Sequence, residues 1–176
     1  INAVLIMKDR TQVFEEYFPG YDYRWNTHNF HGEKLDFDRY TKHCMHSTTK
    51  SVTSTLIGLA IEQGYIEGVN VPIFDHLQNY TDYQTEENSS ILIRHLLTMT
   101  GGFQWNQNHR SMSDPSNDLL RFNRAPDPWA YVLSKPIVHE PGTEFYYNCG
   151  GINLLGGGIG PLAPGFGANK GAFGPE

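Results

Sequence analysis

The chain has 176 residues, about the length of one domain, and 39% of them are hydrophobic, which is enough apolar material to close a core. Its 13 Lys and Arg against 19 Asp and Glu give a net charge of −6 without any cluster of basic residues, which argues against nucleic-acid binding. The longest apolar runs, such as residues 4–7, are far shorter than the ~20 residues of a helical membrane span.

The chain begins with the pattern of two strands. Ala3–Met7 is a continuous apolar run, which is typical of a strand buried on both faces. A polar turn follows at residues 8–10, and Thr11–Phe18 supplies β-branched and aromatic residues. The pattern predicts a β-hairpin. We interpret residues 19–40 as a long polar and aromatic connection.

Helical spacing follows. Apolar residues at positions such as Val52, Leu56 and Ala60 predict a helix over about residues 47–63, with Gly64 as its stop. A second helix is predicted at Ser90–Met99, with Ser89 or Ser90 as its N-cap.

The last part of the chain contains one more predicted helix and a Gly- and Pro-rich end. A short helix is predicted at Asp127–Ser134, because Pro128 suits a first helical turn. Residues 156–176 are rich in Gly and Pro, a composition that predicts loop or disorder.

The first predicted helix begins with an S-x-x-K motif, Ser47 to Lys50. Residues three apart share one face of a helix, so the lysine can reach the serine hydroxyl. A serine nucleophile needs a neighbouring base, and a helix N-terminus favours a developing oxyanion. The motif is short and common, however, so a second interpretation stays open: Ser47 caps the helix and Lys50 is a solvated side chain.

Four histidines have spacings that could place two metal ligands on one face. They are the pair His28 and His31 and the pair His43 and His46, which encloses Cys44. A zinc site needs three or four ligands, and the sequence has no H-E-x-x-H or paired C-x-x-C motif. We interpret them as loop histidines and expect neither a metal nor a cofactor.

The chain has two cysteines, Cys44 and Cys149. Two are too few for a disulfide scaffold, and the sequence leaves open whether they form one bridge.

Longer segments resemble a known family. The stretch HSTTKSVTSTLIGLAIEQGYI resembles the nucleophile helix of the serine β-lactamase and penicillin-binding-protein superfamily. The nearest likeness is to its class C β-lactamase-related esterases and hydrolases, which include 6-aminohexanoate-dimer hydrolases. INAVLIMKDRTQVFEEYFPGY resembles the family's opening strand pair, and ILIRHLLTMTGGFQW and WAYVLSKPIVHEPGTEFYYNCGGINLLGG resemble two later segments in the right order.

The resemblance implies an α+β fold, with a helical region packed on an antiparallel sheet of which this chain holds only the N-terminal hairpin. The family's third motif, K-T-G or H-x-G, lies on a later strand that is not in this sequence. The resemblance therefore implies a domain truncated at its C-terminus, with a partial hydrolase domain at residues 1–158 and a Gly/Pro-rich tail at 159–176. An uncovered strand edge would favour self-association.

The resemblance also implies roles for individual residues. Ser47 would be the nucleophile, and Lys50 and Tyr147 would transfer protons, since a nearby lysine cation favours the phenolate. Without the family pattern, Tyr147 would be interpreted as a core aromatic residue. Asn148 and Cys149 would contact the substrate, although the family carries Ser or Asn in place of Cys149. Met99, Gly101 and Gly102 would shape the cleft wall.

Two functions remain open at this point. The first is a serine hydrolase that forms an acyl-enzyme on a small-molecule ester, amide or β-lactam. The second is a non-catalytic fragment or binding module of the same fold, because the missing third motif would complete the oxyanion hole. The sequence does not identify the substrate. The family is often exported, so the resemblance implies a periplasmic or extracellular location, although no signal peptide is present in this chain.

Overall fold

The computed structural model describes residues 1–24, 27–111 and 113–159, and it divides into two compact units. The first unit, Ile1–Thr48, contains β1 (Ala3–Lys8), β2 (Thr11–Tyr17), β3 (Gly20–Tyr23), a 3₁₀ turn (His28–Phe30), β4 (His31–Leu35) and a second 3₁₀ turn (His46–Thr48). The second unit begins at Thr49 and contains α1 (Thr49–Glu62), 3₁₀ turns at Ile73–His76 and Gln78–Tyr83, α2 (Ile93–Leu97), α3 (Asp118–Arg124), α4 (Pro128–Leu133) and α5 (Cys149–Ile159).

Strands β1 and β2 form the predicted hairpin. They pair antiparallel, from Ala3 opposite Tyr17 to Lys8 opposite Thr11. The two turn residues, Asp9 and Arg10, have φ angles of 49° and 65°. Left-handed angles at both central residues give the turn that best matches the twist of paired strands. The hairpin prediction is therefore confirmed.

The prediction that β1 is buried on both faces is wrong. Leu5, Ile6 and Met7 are 54%, 49% and 59% exposed. Within the described residues, β1 pairs with β2 alone. A two-stranded sheet has no second layer of its own, so its apolar side chains remain open to solvent.

The interpretation of residues 19–40 as a connection is also wrong, because they contain a second antiparallel hairpin. Strands β3 and β4 pair from Gly20 opposite Leu35. Tyr21 stacks on His31 with ring centroids 4.5 Å apart, and Tyr23 stacks on Phe30 at 5.6 Å. Ring pairs of this kind add to the stability of a sheet whose strands are short.

Helix α5 lies at the centre of the second unit and packs against α1, α2, α3 and α4. Its residues Leu154 and Leu155 are completely buried. The surrounding helices contribute Ile57, Ala60, Leu96, Phe122 and Val132 to the same core, and 3₁₀ turns and loops supply further buried side chains.

Helix α5 forms despite its sequence CGGINLLGGGI. Asn148 precedes it and accepts a hydrogen bond from the backbone N–H of Gly151 at 2.9 Å, as an N-cap residue does. A Cβ atom on Gly150 would lie 2.5 Å from Trp105 and 2.7 Å from Val132, so only glycine fits there. Since α5 continues to Ile159, the loop prediction for residues 156–176 is wrong as far as Ile159. Residues 160–176 lie outside the described part of the chain.

Two of the predicted helices are confirmed. Helix α1 ends at Glu62, and Gly64 follows with a φ of 77°, a conformation suited to a helix stop. Helix α4 begins at Pro128, and the carboxylate of Asp127 accepts the N–H groups of Trp129 and Ala130 at 3.0 Å each.

The predicted helix at Ser90–Met99 is shorter in the structure. Helix α2 spans Ile93–Leu97, with Leu92 as its N-cap, so neither Ser89 nor Ser90 caps it. The hydroxyls of these serines donate instead to the carbonyl oxygens of Glu86 and Glu87.

Helix α3 was not predicted. Its cap is the buried Asn117, whose side-chain oxygen accepts the N–H groups of Leu119 and Leu120 at 2.9 and 3.4 Å. Among the described residues, no helix has both the length and the apolar character needed to cross a membrane.

Candidate active site

Ser47 lies in the 3₁₀ turn at the end of the first unit, where its side chain is exposed. The preceding residue, His46, has a φ of 44°, in the left-handed region that non-glycine residues rarely adopt. The His46 ring meets the ring of Tyr23 edge to face, with centroids 4.3 Å apart. The N–H of Thr48 donates to the carbonyl of Met45 at 3.0 Å and closes the turn. Residues held in such uncommon conformations cluster at functional sites.

Lys50 and Tyr147 lie close together in the second unit. Lys50 is in the first turn of α1, and Tyr147 comes two residues before α5. The lysine Nζ lies 5.4 Å from the centroid of the Tyr147 ring, within the range of a cation–π contact. The structure thus brings together the two residues predicted to transfer protons, although they are far apart in the sequence.

Tyr147 is held between two fixed neighbours. On one side, the N–H of Tyr146 donates to the carbonyl of Met99 at 2.9 Å. On the other side, Asn148 caps α5 through its bond with Gly151. Tyr147 therefore sits on a short segment whose backbone is fixed at both ends.

The two predicted substrate-binding residues are mostly buried. Asn148 is 8% exposed and Cys149 is 7% exposed. The side-chain oxygen of Asn148 serves as the helix cap, and the thiol of Cys149 is free. Cys44 is also a free thiol and is exposed. Substrate contact by Asn148 and Cys149 stays a prediction.

The segment that follows α2 lines a small recess beneath Asn148. Met99, Gly101 and Gly102 contribute to its wall, and its volume of about 10 Å³ admits roughly one water molecule. Gly102 has a φ of 78°, and a Cβ there would lie 2.1 Å from the carbonyl oxygen of His139. The carbonyl of Met99 supports the backbone of Tyr146, and the role of the segment as a cleft wall stays a prediction.

Sequence reasoning missed Gln107. The side-chain oxygen of this residue accepts hydrogen bonds from the indole N–H of Trp105 at 2.8 Å and from the backbone N–H of Cys149 at 3.0 Å. It therefore joins the segment after α2 to the start of α5. The sequence offered only a weak signal, a polar side chain two residues after the matched ILIRHLLTMTGGFQW segment.

A buried carboxylate at the start of α3 was also missed. Asp118 is 6% exposed and accepts hydrogen bonds from the Lys135 ammonium at 2.5 Å, the Tyr131 hydroxyl at 2.6 Å and the Asn106 N–H at 2.6 Å. Burial alone would raise the pKa of Asp118, but the bonds from Lys135 and Tyr131 outweigh it and hold the pKa below its usual value. Burial likewise opposes the charge of Lys135, and the carboxylate raises its pKa above the usual value. The pair is therefore ionised at neutral pH.

His31, His43 and His46 each contact an aromatic ring. His31 stacks on Tyr21, and His43 stacks on Phe37 with centroids 4.6 Å apart. Across residues 1–24, 27–111 and 113–159, no group of three or more His, Cys, Asp or Glu side chains is placed to hold a metal ion.

The family follows from a direct comparison. A family model described as Beta-lactamase matches residues 2–165, which is most of the chain. The chain belongs to the beta-lactamase family. The matched residues include Ser47, Lys50 and Tyr147.

Two solved structures share the fold of this beta-lactamase-family chain. One is a Bacillus anthracis protein provisionally described as a 6-aminohexanoate-dimer hydrolase. Its TM-score is 0.65 at 16% identity, over 92% of this chain and 40% of that one. The other is a Bacteroides dorei DSM 17855 protein provisionally described as a beta-lactamase. Its TM-score is 0.58 at 22% identity, over 91% of this chain and 42% of that one.

These likenesses confirm the predicted α+β, β-lactamase/transpeptidase-like fold. The chain spans about two fifths of the length of these two structures. A search of curated proteins gave no match.

Proposed function

We propose that the protein is a serine hydrolase that forms an acyl-enzyme on an ester, amide or β-lactam carbonyl. One observation carries the proposal: the Lys50 Nζ lies 5.4 Å from the Tyr147 ring centroid in a chain of the beta-lactamase family. In the S-x-x-K motif the lysine follows the serine by three residues, and a tyrosine beside that lysine adds a proton acceptor to its cation.

In the proposed reaction, Ser47 Oγ attacks the carbonyl carbon of the substrate. Its proton passes to the phenolate of Tyr147 as the new C–O bond forms. The tetrahedral intermediate then collapses, and the leaving alcohol or amine takes the proton as its bond to carbon breaks. A water molecule repeats the sequence on the acyl-enzyme, which frees the acid and regenerates the serine.

Lys50 contributes electrostatically in this scheme. A positive charge near the tyrosine ring stabilises negative charge on the phenolate oxygen by Coulomb attraction, and it does so most strongly where water is excluded. Lys50 and Tyr147 are both half-buried, which favours such an effect. The cation thereby assists the transfer of the Ser47 proton to Tyr147 and from there to the leaving group.

The proposed substrate class is a small acyl compound with a hydrolysable ester or amide. The two solved structures are described as a 6-aminohexanoate-dimer hydrolase and a beta-lactamase. A 6-aminohexanoate dimer and a β-lactam both contain an amide carbonyl. A panel of p-nitrophenyl esters, linear amides and a chromogenic β-lactam would separate the possibilities.

The test uses the full-length protein and a fluorophosphonate serine probe, with intact-protein mass as the readout. We expect a single adduct on the parent and none on Ser47→Ala. Ser51→Ala is the matched control, because Ser51 is an exposed serine in the first turn of α1, four residues after Ser47, and this variant should be labelled like the parent. An adduct that persists in Ser47→Ala would refute the assignment of the nucleophile.

The proton-transfer pair is tested separately. Replacing Lys50 with Ala or Tyr147 with Phe should slow labelling by about 10²–10⁴-fold, the usual contribution of general acid–base catalysis. The circular dichroism spectra should match that of the parent. Labelling at the parental rate in both variants would contradict their proposed role.

A further inference from the structure

Gln107 joins two segments that the proposed reaction depends on. Its side-chain oxygen accepts two hydrogen bonds, from the Trp105 indole at 2.8 Å and from the Cys149 N–H at 3.0 Å. Trp105 itself is 3% exposed and packs on Gly150, in the first turn of α5. One side chain therefore ties a buried ring and the start of a helix together.

The bond to Cys149 adds to the capping of α5. The first N–H groups of a helix have no partner within the helix. Asn148 satisfies the N–H of Gly151, and Gln107 satisfies that of Cys149, the first residue of α5. The bond from Cys149 goes to a loop 42 residues earlier in the chain. It therefore fixes the position of the helix start relative to that loop.

Gln107 is itself held in place by the start of α3. The side-chain amide of Asn117, which is completely buried, donates to the carbonyl oxygen of Gln107 at 3.1 Å. The backbone of the neighbouring Asn106 makes two hydrogen bonds with Asp118. Its N–H donates to the Asp118 carboxylate at 2.6 Å, and its carbonyl oxygen accepts the Asp118 N–H at 3.0 Å. The loop thus presents the Gln107 side chain from a fixed backbone.

We propose that Gln107 is a positioning residue: its side-chain oxygen fixes the start of α5 and so holds the Tyr147 ring beside Lys50. This inference rests on the proposed function. Tyr147 precedes the helix by two residues, so a displaced helix start moves the tyrosine with it. A misplacement of about 1 Å at a catalytic group can lower a rate by about 10²-fold.

The experiment compares three variants of the full-length protein in fluorophosphonate labelling and in hydrolysis of p-nitrophenyl acetate. Gln107→Leu keeps the bulk of the side chain and removes the acceptor. Gln107→Glu keeps an acceptor oxygen, and the negative charge of the carboxylate is favourable near a helix N-terminus. Gln104→Leu is the matched control, an exposed glutamine in the same segment.

Gln107→Leu should slow labelling and lower kcat roughly 10- to 100-fold, with KM changed by less than about twofold. Gln107→Glu should stay within about threefold of the parent, because both accepted bonds can still form. Gln104→Leu should behave like the parent.

Two outcomes would overturn the inference. A parental kcat in Gln107→Leu would show that the accepted bonds do not position the tyrosine. A defect in Gln107→Glu as large as that in Gln107→Leu would show that the amide N–H₂ matters instead, as it would for direct contact with substrate.

A structural readout separates this inference from the proposed function. In ¹⁵N–¹H spectra, the signals of the Trp105 indole and the Cys149 amide should move in Gln107→Leu and stay near their parental positions in Gln104→Leu. If these signals do not move in Gln107→Leu, the positioning contact is refuted whatever the activity. If the signals move but the probe never labels the parent, the proposed serine-hydrolase function fails, and so does the catalytic consequence of positioning Tyr147. The hydrogen bonds from Trp105 and Cys149 to Gln107 would still be established.

Discussion

The two units of the chain bury their apolar residues to very different extents. In the described part of the first unit, Phe37 is the one hydrophobic residue that is fully buried, while Leu5, Ile6 and Met7 lie about half exposed. The second unit contains the entire buried cluster, arranged around α5. The difference follows from architecture, since a two-stranded sheet has no opposing layer, whereas a central helix is covered on several sides.

This contrast extends to the candidate site. Lys50 and Tyr147 belong to the well-packed unit, where Asn148 and Gln107 fix the start of α5. Ser47 belongs to the unit stabilised by strand pairing and ring contacts such as that between Tyr23 and His46. Lys50 and Tyr147 are therefore supported by a packed core, and the turn that carries Ser47 is supported by hairpins.

The largest effect should come from removing a core side chain. Leu154→Ala should lower the free energy of unfolding by about 2–5 kcal/mol, because Leu154 is completely buried. Leu5→Ala, the matched change in the first unit, should cost less than about 0.5 kcal/mol, because Leu5 is 54% exposed. Urea denaturation of the full-length protein gives both values. Equal losses would mean that the hairpin is as well packed as the helical core.

The next largest effect should come from the buried ion pair. Lys135→Met should lower the free energy of unfolding by about 1–3 kcal/mol, since it leaves the Asp118 carboxylate without its cation. Lys34→Met on the exposed face of β4 is the control and should be close to neutral.

The same pair makes a prediction about pH. The pKa of Asp118 lies below its usual value in the folded protein, so its contribution is present above the usual carboxyl pKa and is lost as the pH falls. Without Lys135, burial raises the pKa, and the loss of stability should begin at a higher pH. Denaturation midpoints measured from pH 7 to pH 3 test this. Parallel curves for parent and Lys135→Met would contradict the account.

The smallest effect is expected from Glu15 in the first unit. Hydrogen bonds from Arg39, Tyr17 and Gln12 lower the pKa of Glu15 from 4.5 to about 2. Its contribution is therefore present above about pH 4.5 and is lost as the pH falls toward 2. Because its partner Arg39 is exposed, with 57% of the side chain accessible, Glu15→Gln should change the acid midpoint less than Lys135→Met does. A larger change would mean that the first unit depends on this cluster more than its exposure suggests.

Local patterns in the sequence predicted α1, α4 and the β1–β2 hairpin correctly. In each case the signal lies within the element: helical spacing up to Gly64, Pro128 in a first helical turn, and a polar turn between two strand-like runs. The family resemblance also placed Lys50 and Tyr147 in one site, and the two side chains are in contact in the structure. Neither residue, taken alone in the sequence, indicates this contact.

The remaining features depend on contacts between distant residues. Glycine has low helix propensity, so CGGINLLGGGI does not indicate a helix until Trp105 is known to pack against Gly150. Gln107 is one polar residue among several until its partner Cys149 is placed beside it. The exposure of β1 could not be predicted from its apolar run, because burial depends on which elements cover a strand.

The most direct test of the central claim is to locate the fluorophosphonate adduct on the full-length protein. Tryptic cleavage after Lys42 and Lys50 yields a peptide of residues 43–50, which contains Ser47 together with Cys44, Thr48 and Thr49. Fragmentation of that peptide should place the single adduct on Ser47. An adduct on Cys44 or in any other peptide, or a parent protein that takes up no probe, would contradict the account of this chain as a serine hydrolase.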